Sequence, residues 1–250
     1  VYNQDKQQYN KITKQRNNKQ KMAKSKTQDP THTTLYGEAT LDDYVRSHSD
    51  AEPDYLYRLY RDTNVRLLHG RMASGHLQGR LLKMLVKMQR PKNIIEVGTF
   101  SGYSALCLAE GLDDDGHLYT FEINDEQEDF TRPWLEGSPY ADKISFIIGD
   151  ATTEAPRIAR EKGILFDLAF LDGDKRTYAE TYEMLLPIMS KGAIILADNT
   201  LWDGHVIDPD YARDHQTQGI RRFNDLIAED DRVEKVIIPL RDGLTIIRKI

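Results

Sequence analysis

Five successive apolar runs of this 250-residue chain finish beside an acid: Glu96 with Gly98, Glu122, Asp150, Asp172 with Asp174 and Lys175, and Asp198 with Asn199. A single acid at such a place means little, because surface carboxylates are common there. Five in a row point to a cluster. Asp172, Asp198 and Asn199 offer three hard oxygen donors, a set suited to Mg²⁺, Ca²⁺ or Mn²⁺. Zinc fits less well, for want of Cys or clustered His. The plainer alternative has these carboxylates capping helices or pairing with Lys175.

The stretch Asn93 to Ser104, NIIEVGTFSGYS, carries the second chemical signal. Ile94, Ile95 and Val97 are β-branched and bounded by Pro91 and Gly98, which predicts a buried strand, a tight turn and a helix from about Ser101. Gly98 and Gly102 let the backbone pass close to a ligand, and the free N–H groups of the new helix face the same place. The spacing is E-x-G-x-x-x-G and not the G-x-G-x-x-G that holds a pyrophosphate. S-adenosylmethionine has no phosphate but carries an ammonium, a carboxylate and a sulfonium, so a wider loop beside the Glu96 carboxylate suits it. Glu122, 26 residues after Glu96, stands near where an acid takes two ribose hydroxyls. Two glycines in a strand-to-helix turn also occur in any doubly wound protein.

The elements that must position these residues alternate along the chain. Leu118–Ile123, Ile144–Ile148, Leu165–Leu171 and Ala193–Ala197 read as buried strands, with helical stretches around Glu126–Leu135, Ala155–Glu161 and Tyr178–Met189 between them. That alternation predicts an α/β fold, doubly wound, with a mostly parallel sheet of seven strands. Val233–Pro239 and Leu244–Arg248, joined by Arg241-Asp242-Gly243, predict an antiparallel hairpin at the sheet edge. Before the core, Leu41–Val45, Tyr55–Leu68 and Ser74–Met88 show helical spacing and read as packing helices, with Ser49 or Asp50 as a cap ahead of Pro53. In such a sheet a ligand sits beyond the carboxyl ends of the strands, where the five acids fall.

Composition bounds the rest. The net charge is −6, yet Val1–Pro30 holds seven Lys and one Arg against two Asp, a net of +6, which leaves −12 for the remainder. An acidic body argues against a broad nucleic-acid surface. The first 30 residues have almost no aliphatic side chains and are expected to be a disordered basic tail, read as an arm for RNA, a solvated tail, or leader ahead of a start at Met22. Residues 31–250 are then one catalytic domain. No apolar run approaches the ~20 residues of a membrane span, and a cytoplasmic protein is expected. Cys107, the single cysteine, lies at helical spacing in SALCLAE and reads as a small buried apolar side chain.

With these residues in place, IIEVGTFSGYSALCLAEGL, FLDGDKRTY and ILADNTLWDG resemble the cation-dependent O-methyltransferases of the catechol and caffeoyl-CoA type, over about Leu41 to Ile250. The resemblance implies a Rossmann-like, S-adenosylmethionine-dependent enzyme. It implies that Asp172, Asp198 and Asn199 bind the metal, that Lys175 is the catalytic base, and that Asp172 also serves the chemistry and the cofactor. Met72 and Ser74 would close over the cofactor and metal, with Ser74 where the family often has Thr. Gly98, Phe100 and Ser104 would line the methionine and ribose side, Glu122 would hold the ribose, and Asp150 with Ala151 would contact the adenine.

The acceptor would be a small hydroxylated molecule, and a homodimer is expected. A second reading, methylation of a hydroxylated uridine in tRNA, follows from some bacterial members. The sequence departs from the animal catechol enzymes on the final hairpin, where KVIIPLRDG has no acid before Asp242. The acceptor loop, about Leu201–Gln218, lacks a plain basic patch for a CoA phosphate. His205 and His215 there, and His69 and His76 beside Met72, read as structural or gating.

Overall fold

The central strands of the sheet are apolar runs whose alternate residues leave on opposite faces, and that alternation makes two cores. The computed structural model describes residues 40–250, so the expectation for Val1–Pro30 lies outside the described residues. The chain divides into a unit ending at Val45 and a unit from Arg46 to Ile250. In the first, Thr40 and Asp43 form a reciprocal cap on helix α1 (Leu41–Ser47): Thr40 N donates to Asp43 Oδ2 at 2.9 Å and Asp43 N to Thr40 Oγ1 at 3.1 Å.

The second unit carries α2 (Asp54–Arg66), α3 (Gly75–Gln89), β1 (Asn93–Val97), α4 (Tyr103–Gly111), β2 (His117–Glu122), α5 (Glu128–Glu136), β3 (Ile144–Ile148), α6 (Ala151–Lys162), β4 (Phe166–Leu171), α7 (Tyr178–Ile188), β5 (Met189–Asp198), α8 (His215–Glu229), β6 (Val233–Ile238) and β7 (Leu244–Lys249). The strand order is β3-β2-β1-β4-β5-β7-β6. The first five strands in that order pair in parallel, for example Ile94 with both Leu118 and Leu168. β7 runs antiparallel between β5 and β6. The order reverses between β1 and β4, so a crevice opens there beyond the strand ends.

On one face Ile94, Leu118, Leu168, Phe170, Leu196 and Leu244 pack against α2 to α5; on the other Ile95, Tyr119, Phe121, Leu171, Ile195 and Ile247 pack against α6 to α8. Fully burying each such side chain stabilises the fold by about 1.5–3 kcal/mol. The polar groups left at the strand ends therefore sit on a rigid base.

The structure corrects the expected elements in three places. The helix after β1 begins at Tyr103, because Gly102 in front of it is left-handed at φ 83°. Neither Ser49 nor Asp50 is the residue before α2; Pro53 is, with no side-chain cap bond. The loop expected to reach Gln218 ends at Asp214, whose Oδ2 accepts from Thr217 N at 2.7 Å and starts α8. Ile220, Phe223 and Ile227, at helical spacing, bury the inner face of α8. Among the described residues no helix is long and apolar enough to cross a membrane.

Candidate active site

Asp172 directly follows β4, and its N–H donates to Val97 O at 2.9 Å, which ties it to the end of β1. The turn after β1 comes so close that a Cβ on Gly98 would lie 2.4 Å from the Asp172 carbonyl oxygen, and Gly98 has φ 99°. Only glycine fits there. Asp174 caps the short helical turn Lys175–Thr177 by accepting from Arg176 N. Lys175 is thereby turned inward and buried, and α8 presses on the same turn: a Cβ on Gly219 would meet Lys175 O at 2.3 Å.

Lys175 Nζ donates to Asp172 Oδ1 at 2.7 Å and to the Tyr178 hydroxyl at 2.6 Å. That hydroxyl lies 3.1 Å from Leu171 O and 3.0 Å from Asp198 O. Its one proton is shared between those two carbonyls, and its lone pair receives the lysine. Burial, then Asp172 and Asp198, push the Tyr178 phenol well above its ordinary pKa, so it stays protonated.

Asp198 ends β5 and is buried. Its Oδ1 accepts from Asn199 N at 2.8 Å and its Oδ2 from Gln78 Nε2 at 2.7 Å. Burial first, and then the charge of Asp172, raise its carboxyl to about 6. Asn199 takes the left-handed conformation at φ 57°, which asparagine tolerates better than most residues. Its Nδ2 points to Asp242 Oδ2 at 3.3 Å, and because a carboxylate can only accept, the amide oxygen is the atom left over. Two carboxylates in each other's field and one amide oxygen are hard donors that fit a divalent cation. Among the described residues, no group of three or more His, Cys, Asp or Glu is arranged to hold a metal ion, so the fit rests on the asparagine as third donor.

The other side of the crevice is built on Glu96. Its carboxylate is fully buried, and its Oε2 accepts from Thr120 Oγ1 at 2.5 Å, with Thr99 Oγ1 2.6 Å from Thr120 Oγ1. Desolvation pushes its pKa up to about 8. Glu96 Oε1 and Ser101 Oγ are buried without a hydrogen-bond partner among the described residues. The small cleft is lined by Ser74, Gly98, Phe100, Ser101, Ser104 and Asp172, among others. Ser101 lines this cleft, and a ligand carboxylate such as that at the methionine end of S-adenosylmethionine would satisfy its hydroxyl, whereas Glu96 is fully buried and does not line it. Glu122 accepts from Phe100 N at 2.8 Å and Asn124 N at 2.9 Å, which holds its carboxylate at the end of β2.

The structure thus brings together Asp172, Lys175, Asp198 and Asn199, and lines the neighbouring cleft with Met72, Ser74, Gly98, Phe100 and Ser104. The Met72 side chain itself is largely exposed. Asp150 is exposed and caps α6, accepting from Thr152 N at 2.8 Å, ahead of buried Ala151. His76 Nε2 sits 2.7 Å from Asp50 O, and His205 stacks on Tyr211 at 3.5 Å. The wider surface cleft is lined by Arg176, His215, Gln218, Gly219 and Arg222, and its arginines are paired with Asp174 and Glu180. Gln78, Ser101, Tyr178, Arg241 and Asp242 had no expected part in the site. Tyr178 and Ser101 stood inside motifs already singled out, so a signal existed for those two.

The profile of a family described as O-methyltransferase matches residues 46–250. A caffeoyl-CoA O-methyltransferase of Mesembryanthemum crystallinum is 34% identical over 236 residues, covering 90% of this chain and 92% of that protein. Tricin synthase 2 of Oryza sativa subsp. japonica is 36% identical over 189 residues, 73% of this chain and 65% of that one, so the match spans about two thirds of that relative. Among solved structures, an O-methyltransferase from Bacillus cereus in complex with SAH superposes with a TM-score of 0.77 at 30% identity, covering 84% of this chain and 96% of that one.

Proposed function

The chain belongs to the O-methyltransferase family and is an S-adenosylmethionine-dependent enzyme, and on that premise we propose that it methylates one of two vicinal hydroxyls on a small catechol-like or phenylpropanoid-type acceptor with the help of a divalent cation. One observation carries this reading: the Asp172–Lys175–Tyr178–Asp198 network stands at the reversal point of the sheet, beside the cleft that Gly98, Ser101 and Asp172 line.

In this reading Asp172, Asp198 and the Asn199 amide oxygen hold Mg²⁺, Ca²⁺ or Mn²⁺. A bound cation supplies Lewis acidity and a template for two adjacent oxygens. Lys175 takes the phenol proton. The ammonium so formed meets the acceptors already aimed at it, Asp172 Oδ1 and the Tyr178 hydroxyl, so the product of proton transfer is stabilised where it appears. The phenolate oxygen then forms a bond to the methyl carbon while the carbon–sulfur bond breaks, and the electron pair stays on sulfur. The chain's part in that step is alignment at near-attack distance. Asp242, beside Asn199, is the carboxylate on the acceptor side.

A cytoplasmic homodimer completes the proposal. The tRNA reading finds no support in the relatives above and is not carried further. Turnover of a catechol, a caffeoyl thioester and the matching monophenol, with and without chelator, tests the proposal. Chelating acceptors are expected to react and to stop reacting in EDTA, with monophenols much poorer. Equal turnover of monophenol and catechol in EDTA would return Asp172, Asp198 and Asn199 to a structural role.

A further inference from the structure

The turn between β6 and β7 reaches the segment ahead of α3, 167 positions earlier in the chain at Ser74. Arg241, exposed and left-handed at φ 49°, donates from Nη1 to Ala73 O at 3.2 Å, to Ser74 O, and to Gln78 Oε1 at 3.1 Å, and from Nη2 to Arg71 O at 3.3 Å. Nη1 has two hydrogens for three acceptors, so the carbonyls and the amide share them.

A guanidinium can only donate, so the Gln78 oxygen must face Arg241 and its NH₂ must face the other way. That way lies Asp198 Oδ2, at 2.7 Å. Gln78 is 1% exposed, so water does not stand in for either bond. The result is a directed chain, Arg241 to Gln78 to Asp198, in which the orientation of each member is dictated by the one before.

We propose that Gln78 is a positioning residue for the cation site, holding the Asp198 carboxylate at one angle, and that Arg241 fixes Gln78 while fastening Arg71–Ser74 over the cleft. The inference rests on the cation-dependent reading above. With Oδ1 held by Asn199 N and Oδ2 by Gln78, Asp198 cannot rotate, and each oxygen keeps a lone pair for a metal. Partners of this kind, which orient a ligand without touching the metal, typically change affinity by about 10–100-fold when removed.

The test is Mn²⁺ binding by the full chain, read by calorimetry and by the electron paramagnetic resonance line shape of the bound ion. Gln78→Leu removes both bonds at similar volume. Arg241→Gly removes the clamp at a backbone conformation that glycine prefers, on an exposed turn, and so keeps the question decidable where Gln78→Leu fails to fold. Gln78→Leu is expected to weaken Mn²⁺ about 10–100-fold and to alter the line shape, and Arg241→Gly to weaken it about tenfold or less. The double variant should be no weaker than Gln78→Leu alone, because the two act through one chain. Folded variants that bind Mn²⁺ like the wild type, with the same line shape, overturn the inference and leave the cation reading standing. A wild type that binds no Mn²⁺ overturns both.

Discussion

Glu122 and Asp198 both end strands of one sheet and both are buried, yet they are held by different kinds of neighbour. Glu122 accepts from the backbone of Phe100 and Asn124, 22 and 2 positions away, and Glu96 accepts from Thr120, 24 positions away. Asp198 depends on Gln78, 120 positions away, and Asn199 on Asp242, 43 away. The two glutamates of the cofactor side are therefore held within one strand–turn–helix–strand unit and the residues that directly follow it. The acceptor side exists only once the remote turns of the chain have closed on one another, since Gln78 and Asp242 reach Asp198 and Asn199 from far along the chain.

This difference can be broken deliberately. The largest effect is expected on the acceptor side: Lys175→Ala should slow methyl transfer by about 10²–10⁴-fold, the range of a positioned general base, while S-adenosylmethionine and Mn²⁺ still bind. Single-turnover rates over a range of pH check this, with partial recovery as hydroxide replaces the lost base. On the cofactor side, Glu122→Ala should weaken S-adenosylmethionine by no more than two charged hydrogen bonds, about 1.5–3 kcal/mol each, without changing Mn²⁺ affinity. Calorimetry with each ligand separates the two sides, and a matching loss of Mn²⁺ affinity would mean that they act as one.

The third effect is one of stability. Glu96 has its carboxyl raised from 4.5 to about 8 by burial, so between those values the folded, cofactor-free chain holds a proton that the unfolded chain has released. Its contribution to stability must then fall as pH rises through that window, by at most about 1.4 kcal/mol per pH unit. Glu96→Gln should flatten the slope between pH 5 and pH 8 in denaturant unfolding of the cofactor-free chain. An unchanged slope would mean that Glu96 is ionised in the folded chain over this range.

Which residues the sequence disclosed follows the same division. The β-branched runs predicted the strands because a parallel strand buried on both faces needs little else, and the acids beside those runs predicted where the crevice would be. Asp172 and Lys175 were legible as a pair three residues apart. Tyr178 was three residues further on, but its use depends on β5 lying beside β4, which no local pattern states. Gln78 read as one polar position in an amphipathic helix, and Arg241 and Asp242 read as turn residues, because their partners lie far along the chain. α8 escaped notice because the Asp- and His-rich start resembled the loop before it, although Ile220, Phe223 and Ile227 kept helical time. Asp150 caps α6, a role that its place between a strand and a helix already allowed.

The place of β7 between β5 and β6 bears on how the chain is made. β6 is translated first but pairs only with β7, so it has no seat in the sheet until residues 244–249 have emerged from the ribosome. Until then the Ala193–Asp198 flank of β5 stands as a bare ladder of amides and carbonyls, open to any extended segment that passes. Arg241 and Asp242 also arrive in that last stretch. A nascent chain can thus fold its cofactor loop early, but it cannot pin Asp198 and Asn199 until Arg241, Asp242 and β7 are free of the ribosome.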